Sequence, residues 1–241
     1  MRKITGFHAI EELLKTGKAE GRLLVSGSGP RIKTILELAR KAGLPVVNAT
    51  NEELSRLAPE HRGVVLETSR EEAAGEADLG EFLERAEGAK TSLVLVLDHI
   101  EDPQNFGAIL RSADVFSCDL VIAPNRRAAP LTEAAARASA GALAHVPLAL
   151  VPNLAEALRR LADSGFWRYA ADMGGDSLPK ADLPAKLALV MGNEGSGVSR
   201  LLRDECDGSL SIPQSGHVDS LNVSAAAAVL LYEYRRRFPA K

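Results

Sequence analysis

From Ser92 to Arg237 the chain alternates short apolar runs with longer segments whose apolar residues recur at helical spacing. Ser92–Leu97, Leu120–Ala123, His145–Leu148, Trp167–Ala171, Leu187–Met191 and Gly208–Ile212 read as strands. Asn105–Val115, Leu131–Ala140, Leu154–Asp163, Val198–Arg203 and Asn222–Arg237 read as helices. Strands separated by helices cannot pair as hairpins, so the pattern predicts an α/β fold with a mainly parallel sheet covered on both faces. Open sheets of that kind bind ligands in the loops beyond their strand ends.

Three such loops carry distinctive residues. The first follows the Ser92–Leu97 strand and holds Asn105, Gly107 and Arg111 in an NxGxxxR string, in which Gly107 is expected to leave room for backbone contact with a substrate. The second runs Met191-Gly192-Asn193-Glu194-Gly195-Ser196-Gly197. The third starts at Ile212-Pro213 and delivers Ser220, Leu221, Asn222 and Ser224 onto the first turn of a helix rich in alanine and leucine. A helix start has free N–H groups and a cap, so it can hold a ligand or simply end a loop. Glycines at 192, 195 and 197 allow close backbone approach to a bulky ligand and turns with positive φ. Their spacing is not GxGxxG, which argues against a dinucleotide site.

Ahead of this part lies a smaller alternating unit. His8–Lys15, Arg31–Lys41 and Asn51–Leu57 read as helices, and Arg22–Ser26, Pro45–Ala49 and Gly63–Glu67 as strands. Residues 71–88 are acidic and rich in glycine and alanine, which predicts a linker, with helical potential from Leu79 to Ala86. The expected organisation is therefore 1–70, a joint over 71–88, and 89–241. The formal net charge of −3 argues against a nucleic-acid partner only on average. Residues 1–62 carry 11 Lys and Arg against 7 Asp and Glu, whereas residues 63–90 carry 3 against 8. Phosphate attraction is local and screened beyond about 10 Å, so a basic N-terminal unit suits RNA, although the same charges also fit a solvated face.

Other classes are disfavoured. The longest apolar stretches, Leu93–Leu97 and Ala225–Tyr232, fall well short of the roughly 20 residues of a membrane helix, and no membrane partner is expected. Met1 to Gly6 lacks the apolar core of a signal peptide. Cys118 and Cys206 stand far apart, no two histidines lie at i,i+4, and the expectation is a cytoplasmic protein with no bound metal.

In this order, NxGxxxR, MGNEGxG and IPxxGxxxSLNVSxAA resemble the three motifs of the SpoU (TrmH) family of RNA 2′-O-ribose methyltransferases. The resemblance runs from about Leu93 to Tyr234 and implies S-adenosylmethionine as cofactor, a trefoil-knotted catalytic domain and a homodimer with the last helix in its interface. Gly6-Phe7-His8-Ala9-Ile10 and His61-Arg62-Gly63-Val64-Val65 resemble the small substrate-binding domain of a subset of the family, itself related to RNA-binding ribosomal proteins. Arg62 stands there where Gln is usual. Pro124-Asn125-Arg126-Arg127 and Ala138-Ser139-Ala140-Gly141-Ala142 are similar to the bacterial enzymes that methylate a guanosine ribose in 23S rRNA. Gln214 replaces a frequent Met.

The resemblance also implies roles. Main-chain groups at Gly192, Gly195, Ile212, Leu221 and Asn222 would hold the cofactor in a bent form. Arg111 would act on the ribose 2′-hydroxyl and its phosphate, with Arg62 and Arg126 as further RNA contacts. A guanidinium is a poor general base, so orientation and stabilisation of the developing alkoxide suit Arg111 best, with a proton relay through RNA phosphate as the other route and a surface ion pair with Asp102 or Asp114 as the bland reading. Asn105 and Glu194 would brace Arg111 and the loops, Ser220 and Asn222 would contact cofactor or ribose, and Ser224 would cap or back-bond its helix. Arg235, Arg236 and Arg237 either reach RNA phosphate or complement their helix dipole.

Overall fold

The computed structural model describes residues 2–15, 19–59, 61–68, 77–125, 132–217 and 220–240. The chain divides into a smaller unit over Met1–Gly75, with Leu143–His145 grouped with it, and a larger one over Glu76–Ala142 and Val146–Lys241.

The smaller unit contains β1 (Arg2–Ile4), α1 (Phe7–Lys15), β2 (Arg22–Val25), α2 (Pro30–Lys41), β3 (Val46–Asn48), α3 (Asn51–Leu57) and β4 (Val64–Thr68). Its sheet runs β1-β4-β2-β3, with β2 parallel to β3 and β4 antiparallel to both its neighbours. Alternation along β2 sets the two faces. Leu23 and Val25 pack with Ile10, Leu14, Ile32 and Ile35 from α1 and α2, whereas Leu24 packs with Leu54 of α3 and Val65. A reciprocal capping box opens α3: Glu53 N–H donates to Thr50 Oγ1 at 3.2 Å and Thr50 N–H to Glu53 Oε2 at 2.8 Å. The sequence reading lacked β1, which is strand only through pairing with β4 in the register Arg2↔Thr68.

The larger unit contains α4 (Leu79–Ala86), β5 (Ser92–Leu97), α5 (Pro103–Val115), β6 (Leu120–Pro124), α6 (Glu133–Ala138), β7 (Leu148–Val151), α7 (Leu154–Asp163), β8 (Trp167–Ser177), β9 (Lys186–Met191), α8 (Arg200–Asp204), β10 (Gly208–Ser211) and α9 (Val223–Arg237). The sheet order is β10-β8-β9-β5-β6-β7, and every neighbouring pair is parallel. All six residues of β5 are buried, as a strand covered on both faces requires. Val94 and Val96 share one core with Leu79, Phe82, Leu158 and Leu161, while α5 packs against α6 and α9.

Four expectations need correction. The joint expected over 71–88 is cut short, because α4 lies within it and buries Leu79, Phe82, Leu83 and Ala86 in the large unit's core; residues 69–76 lie outside the described ones. The strand expected over His145–Leu148 lies at Leu148–Val151. Pro147 has no N–H to give the ladder, and it only accepts Val121 N–H at 2.8 Å, so pairing starts at Val121↔Leu148. The helix expected over Leu131–Ala140 is Glu133–Ala138, started by Thr132 Oγ1 accepting Ala135 N–H at 3.2 Å and followed by Ala140 at φ 52°. The strand expected to stop at Ala171 continues to Ser177 through Gly174 and Gly175.

The last helix also answers a question that the sequence left open. Arg235 Nε donates to Phe116 O at 2.8 Å and its guanidinium also binds Ser117 O, so it satisfies carbonyls at the end of α5 rather than of its own helix. Arg237 donates to Leu178 O at 2.8 Å and to Ala181 O, and Arg236 pairs with Glu233 at 2.8 Å. This run of cations is engaged within the protein.

Candidate active site

The three loops meet on one side chain. Asn105, in the first turn of α5, donates from Nδ2 to Glu194 Oε1, and its Oδ1 accepts from Asn222 Nδ2 at 3.0 Å. Asn222 is the N-cap of α9, where its Oδ1 accepts both Ser224 N–H at 2.8 Å and Ser224 Oγ–H at 2.6 Å. An ionised carboxylate only accepts, so Glu194 fixes the orientation of the Asn105 amide and, through it, that of Asn222. The first and second loops are also joined at the backbone. Asp98 N–H donates to Met191 O at 2.8 Å, Asp98 Oδ2 accepts Ser199 N–H at 2.7 Å, and Asn193 Nδ2 donates to His99 O at 3.1 Å. Asp98 is only 2% exposed, and its second oxygen takes His99 Nδ1 at 2.6 Å. Sequence reasoning passed over Asp98; its signal was an acid directly after the apolar run Leu93–Leu97.

Beside this junction lies a cleft of about 360 Å³. Gly192, Asn193, Glu194, Gly195 and Gly197 form one wall, Ile212, Gln214, Ser220 and Leu221 another, and Ala171, Asp172, Met173 and Arg203 a third. The glycines differ in what they do. A Cβ on Gly192 would lie 2.0 Å from Gly197 C, so this residue lets the loop close on itself. Gly197 takes φ 67°, the conformation expected of a glycine turn, while a Cβ on Gly195 would meet only Asn193 Oδ1 at 3.5 Å. Gly107 is not open to a substrate, as its place in the first motif suggested. Its added Cβ would lie 2.5 Å from Ala135 O and Ala138 Cβ, so it is the point where α6 packs against α5.

Of the expected site residues, Asn105, Glu194 and Asn222 are joined by hydrogen bonds, and Gly192, Gly195, Ile212, Ser220 and Leu221 share the cleft with Glu194. Arg111 lies six residues beyond Asn105 on α5, a rise of about 9 Å and about 1.7 turns away from it. It is exposed and makes no hydrogen bond or ion pair with another described residue, so the pairing with Asp102 or Asp114 is not formed. Asp102 instead caps α5, accepting Gln104 N–H at 3.0 Å. Arg62 is exposed in the smaller unit, and Arg126 lies outside the described residues. Both cysteines are poor nucleophiles, since burial pushes the Cys118 and Cys206 thiols up to about 12. No helix among the described residues is long and apolar enough to cross a membrane.

Comparison with known proteins matches residues 92–232 to the SpoU rRNA methylase family and residues 3–74 to the RNA 2′-O ribose methyltransferase substrate-binding domain. A protein of Staphylococcus epidermidis named for the TrmH family of tRNA/rRNA methyltransferases is 40% identical, over 97% of this chain and 95% of its own length. Among solved structures, the SpoU methyltransferase AviRb from Streptomyces viridochromogenes, in complex with AdoMet, has a TM-score of 0.80 at 27% identity, covering 99% of this chain and 91% of that one. A TrmH-family RNA methyltransferase structure from Porphyromonas gingivalis has a TM-score of 0.74 at 27% identity, covering 98% and 89%.

Proposed function

The chain belongs to the SpoU (TrmH) family of RNA methyltransferases, and from that premise we propose that it methylates a ribose 2′-oxygen of RNA using S-adenosylmethionine, with a guanosine of 23S rRNA as the target. The observation that carries this reading is the Asn105 junction of three loops beside a cleft with room for a bulky ligand. The cleft suits a cofactor bearing positive charge, because the Glu194 carboxylate stands on its wall, while the Asp172 charge there is matched by Arg203. S-adenosylmethionine supplies an electrophilic methyl carbon on a sulfonium.

The chain's own residues then have to align the attacking oxygen and manage one proton. Main-chain groups at Gly192, Gly195, Ile212, Leu221 and Asn222 hold the cofactor. Asn105, Glu194 and Asn222 keep the three loops in register, and Ser220 faces the same cleft. Arg111, with no partner among described residues, is available to a phosphate and to the 2′-oxygen, where a fixed positive charge stabilises a developing alkoxide as the hydroxyl proton leaves to the RNA phosphate or to water. The smaller unit selects the RNA, with Arg62 on its surface and Arg126 in the larger unit as further contacts. The knotted path of the family's catalytic domain and a homodimer form part of this proposal. Val229 and Tyr232 of α9 and Val115 of α5 are exposed apolar side chains suited to a second copy.

A second reading is tRNA as substrate, favoured by the staphylococcal relative's description as a tRNA/rRNA methyltransferase. A noncatalytic RNA-binding role fits less well, because all three motifs are intact apart from Gln214. Mapping 2′-O-methyl groups in ribosomal and transfer RNA from cells with and without the gene tests the assignment. Loss of one 23S rRNA guanosine methyl supports it, loss of a tRNA methyl moves it to the second reading, and an unchanged map overturns both.

A further inference from the structure

The third wall of the cleft is built differently from the other two. In the β10–β8 ladder Ser209 pairs with Ala170, but the next residue, Leu210, pairs with Asp176. Residues 171–175 therefore leave the ladder as one excursion, a large β-bulge. Its far end is pinned: Ser211 Oγ–H donates to Gly175 O at 2.8 Å, and a Cβ on Gly175 would lie 2.5 Å from Ser209 C. Inside the excursion Gly174 N–H donates to Asp172 Oδ1 at 2.9 Å. At its crest Met173 is 70% exposed. The Asp172 Oδ2 carboxylate oxygen is 3.1 Å from Arg203 Nη2 of α8, and that same nitrogen donates to Val198 O at 3.2 Å. One guanidinium nitrogen thus ties the excursion to the exit of the glycine loop.

We propose that Asp172 and Arg203 are positioning residues, a latch that holds the 171–175 excursion as the outer wall of the cofactor cleft and sets how tightly S-adenosylmethionine is retained. The inference rests on the cofactor assignment above. An excursion of five residues with two glycines has many conformations to lose, and it needs a fixed point other than its ladder end. Because the latch works through the pair, neither charge alone should matter once the other is gone. An ion pair with a half-exposed guanidinium has a modest effect, about fivefold in affinity at most.

The test is a double-mutant cycle on the full chain: Asp172→Asn, which keeps an oxygen for Gly174 N–H, Arg203→Ala, and both together. Calorimetric binding of S-adenosylhomocysteine, turnover at saturating cofactor, and hydrogen exchange over residues 171–175 are measured for each. The latch predicts about fivefold weaker binding in each single variant, no further loss in the double variant, unchanged turnover at saturation, and faster exchange in the excursion. Additive losses mean that the two side chains touch the ligand independently, and unchanged binding means that the wall stands without them; either result overturns the latch alone. Failure of the parent protein to bind either S-adenosylmethionine or its demethylated product overturns the cofactor assignment and the latch with it.

Discussion

Asn105 gives an amide proton to Glu194, 89 positions later in the chain, while its amide oxygen takes one from Asn222, 117 positions later. The direction of that relay depends on Glu194 having no proton to give. Asn105→Asp places two carboxylates face to face and should damage the site more than Asn105→Ala. Adding Glu194→Gln should repair it, since the new amide can donate to Asp at 105 while Asn222 still donates from the other side. A hydrogen bond to a charged group is worth about 1.5–3 kcal/mol, so cofactor affinity should fall roughly 10- to 100-fold in Asn105→Asp and largely return in the double variant. Isothermal titration of all three proteins checks this; a double variant no better than Asn105→Asp would show that the relay does not set the site.

Arg111→Ala should abolish methyl transfer while leaving cofactor affinity within about twofold, and Arg111→Lys should restore little. Lysine keeps the charge but lacks the planar fork that spans an oxygen and a phosphate. Single-turnover rates at saturating RNA give the answer, and a near-normal rate for Arg111→Ala moves the chemistry to another side chain.

Glu233 gives a pH signature to the end of α9. Hydrogen bonding to Arg236, opposed by desolvation and helped by Arg237, holds its carboxyl at about 2 rather than 4.5. A carboxyl lowered in the folded state adds stability that is whole above its unfolded value and lost as pH falls through its folded one. The stability gap between the parent and Glu233→Gln should therefore be constant near neutrality and shrink between pH 4.5 and about 2. Denaturant melts across that window measure the gap; one that stays constant throughout contradicts the assignment.

Much of this was legible in the sequence, and the limits have physical causes. Asn51–Leu57, Ser92–Leu97 and Leu154–Asp163 fall at their expected bounds because each carries its own signal: a capping box, an unbroken apolar run, and an Asn153 cap ahead of an amphipathic face. Asp176 and Ser177 of β8 carry no such signal, since they are strand only through pairing with β10 and the run before them holds two glycines. Gly107 read as substrate space because one sequence cannot reveal that α6 occupies it. The Asp98 to Ser199 bond and the Asp172 to Arg203 pair join residues with no local relationship, so only the fold brings them together.

Arg62→Ala in the full chain should weaken RNA binding without changing cofactor affinity. If Arg62 meets a phosphate, the slope of log affinity against log salt should become shallower by up to about one unit. Filter binding across a salt series checks this, and an unchanged slope with unchanged affinity would leave Arg62 as a solvated surface residue.

The most direct measurement is transfer of a labelled methyl group from S-adenosylmethionine to ribosomal RNA by the full-length protein, followed by digestion to nucleosides. The account predicts label in a 2′-O-methylguanosine from 23S rRNA, and none with Arg111→Ala. Label on a base, or no transfer to any RNA by a protein that binds the cofactor, would contradict it.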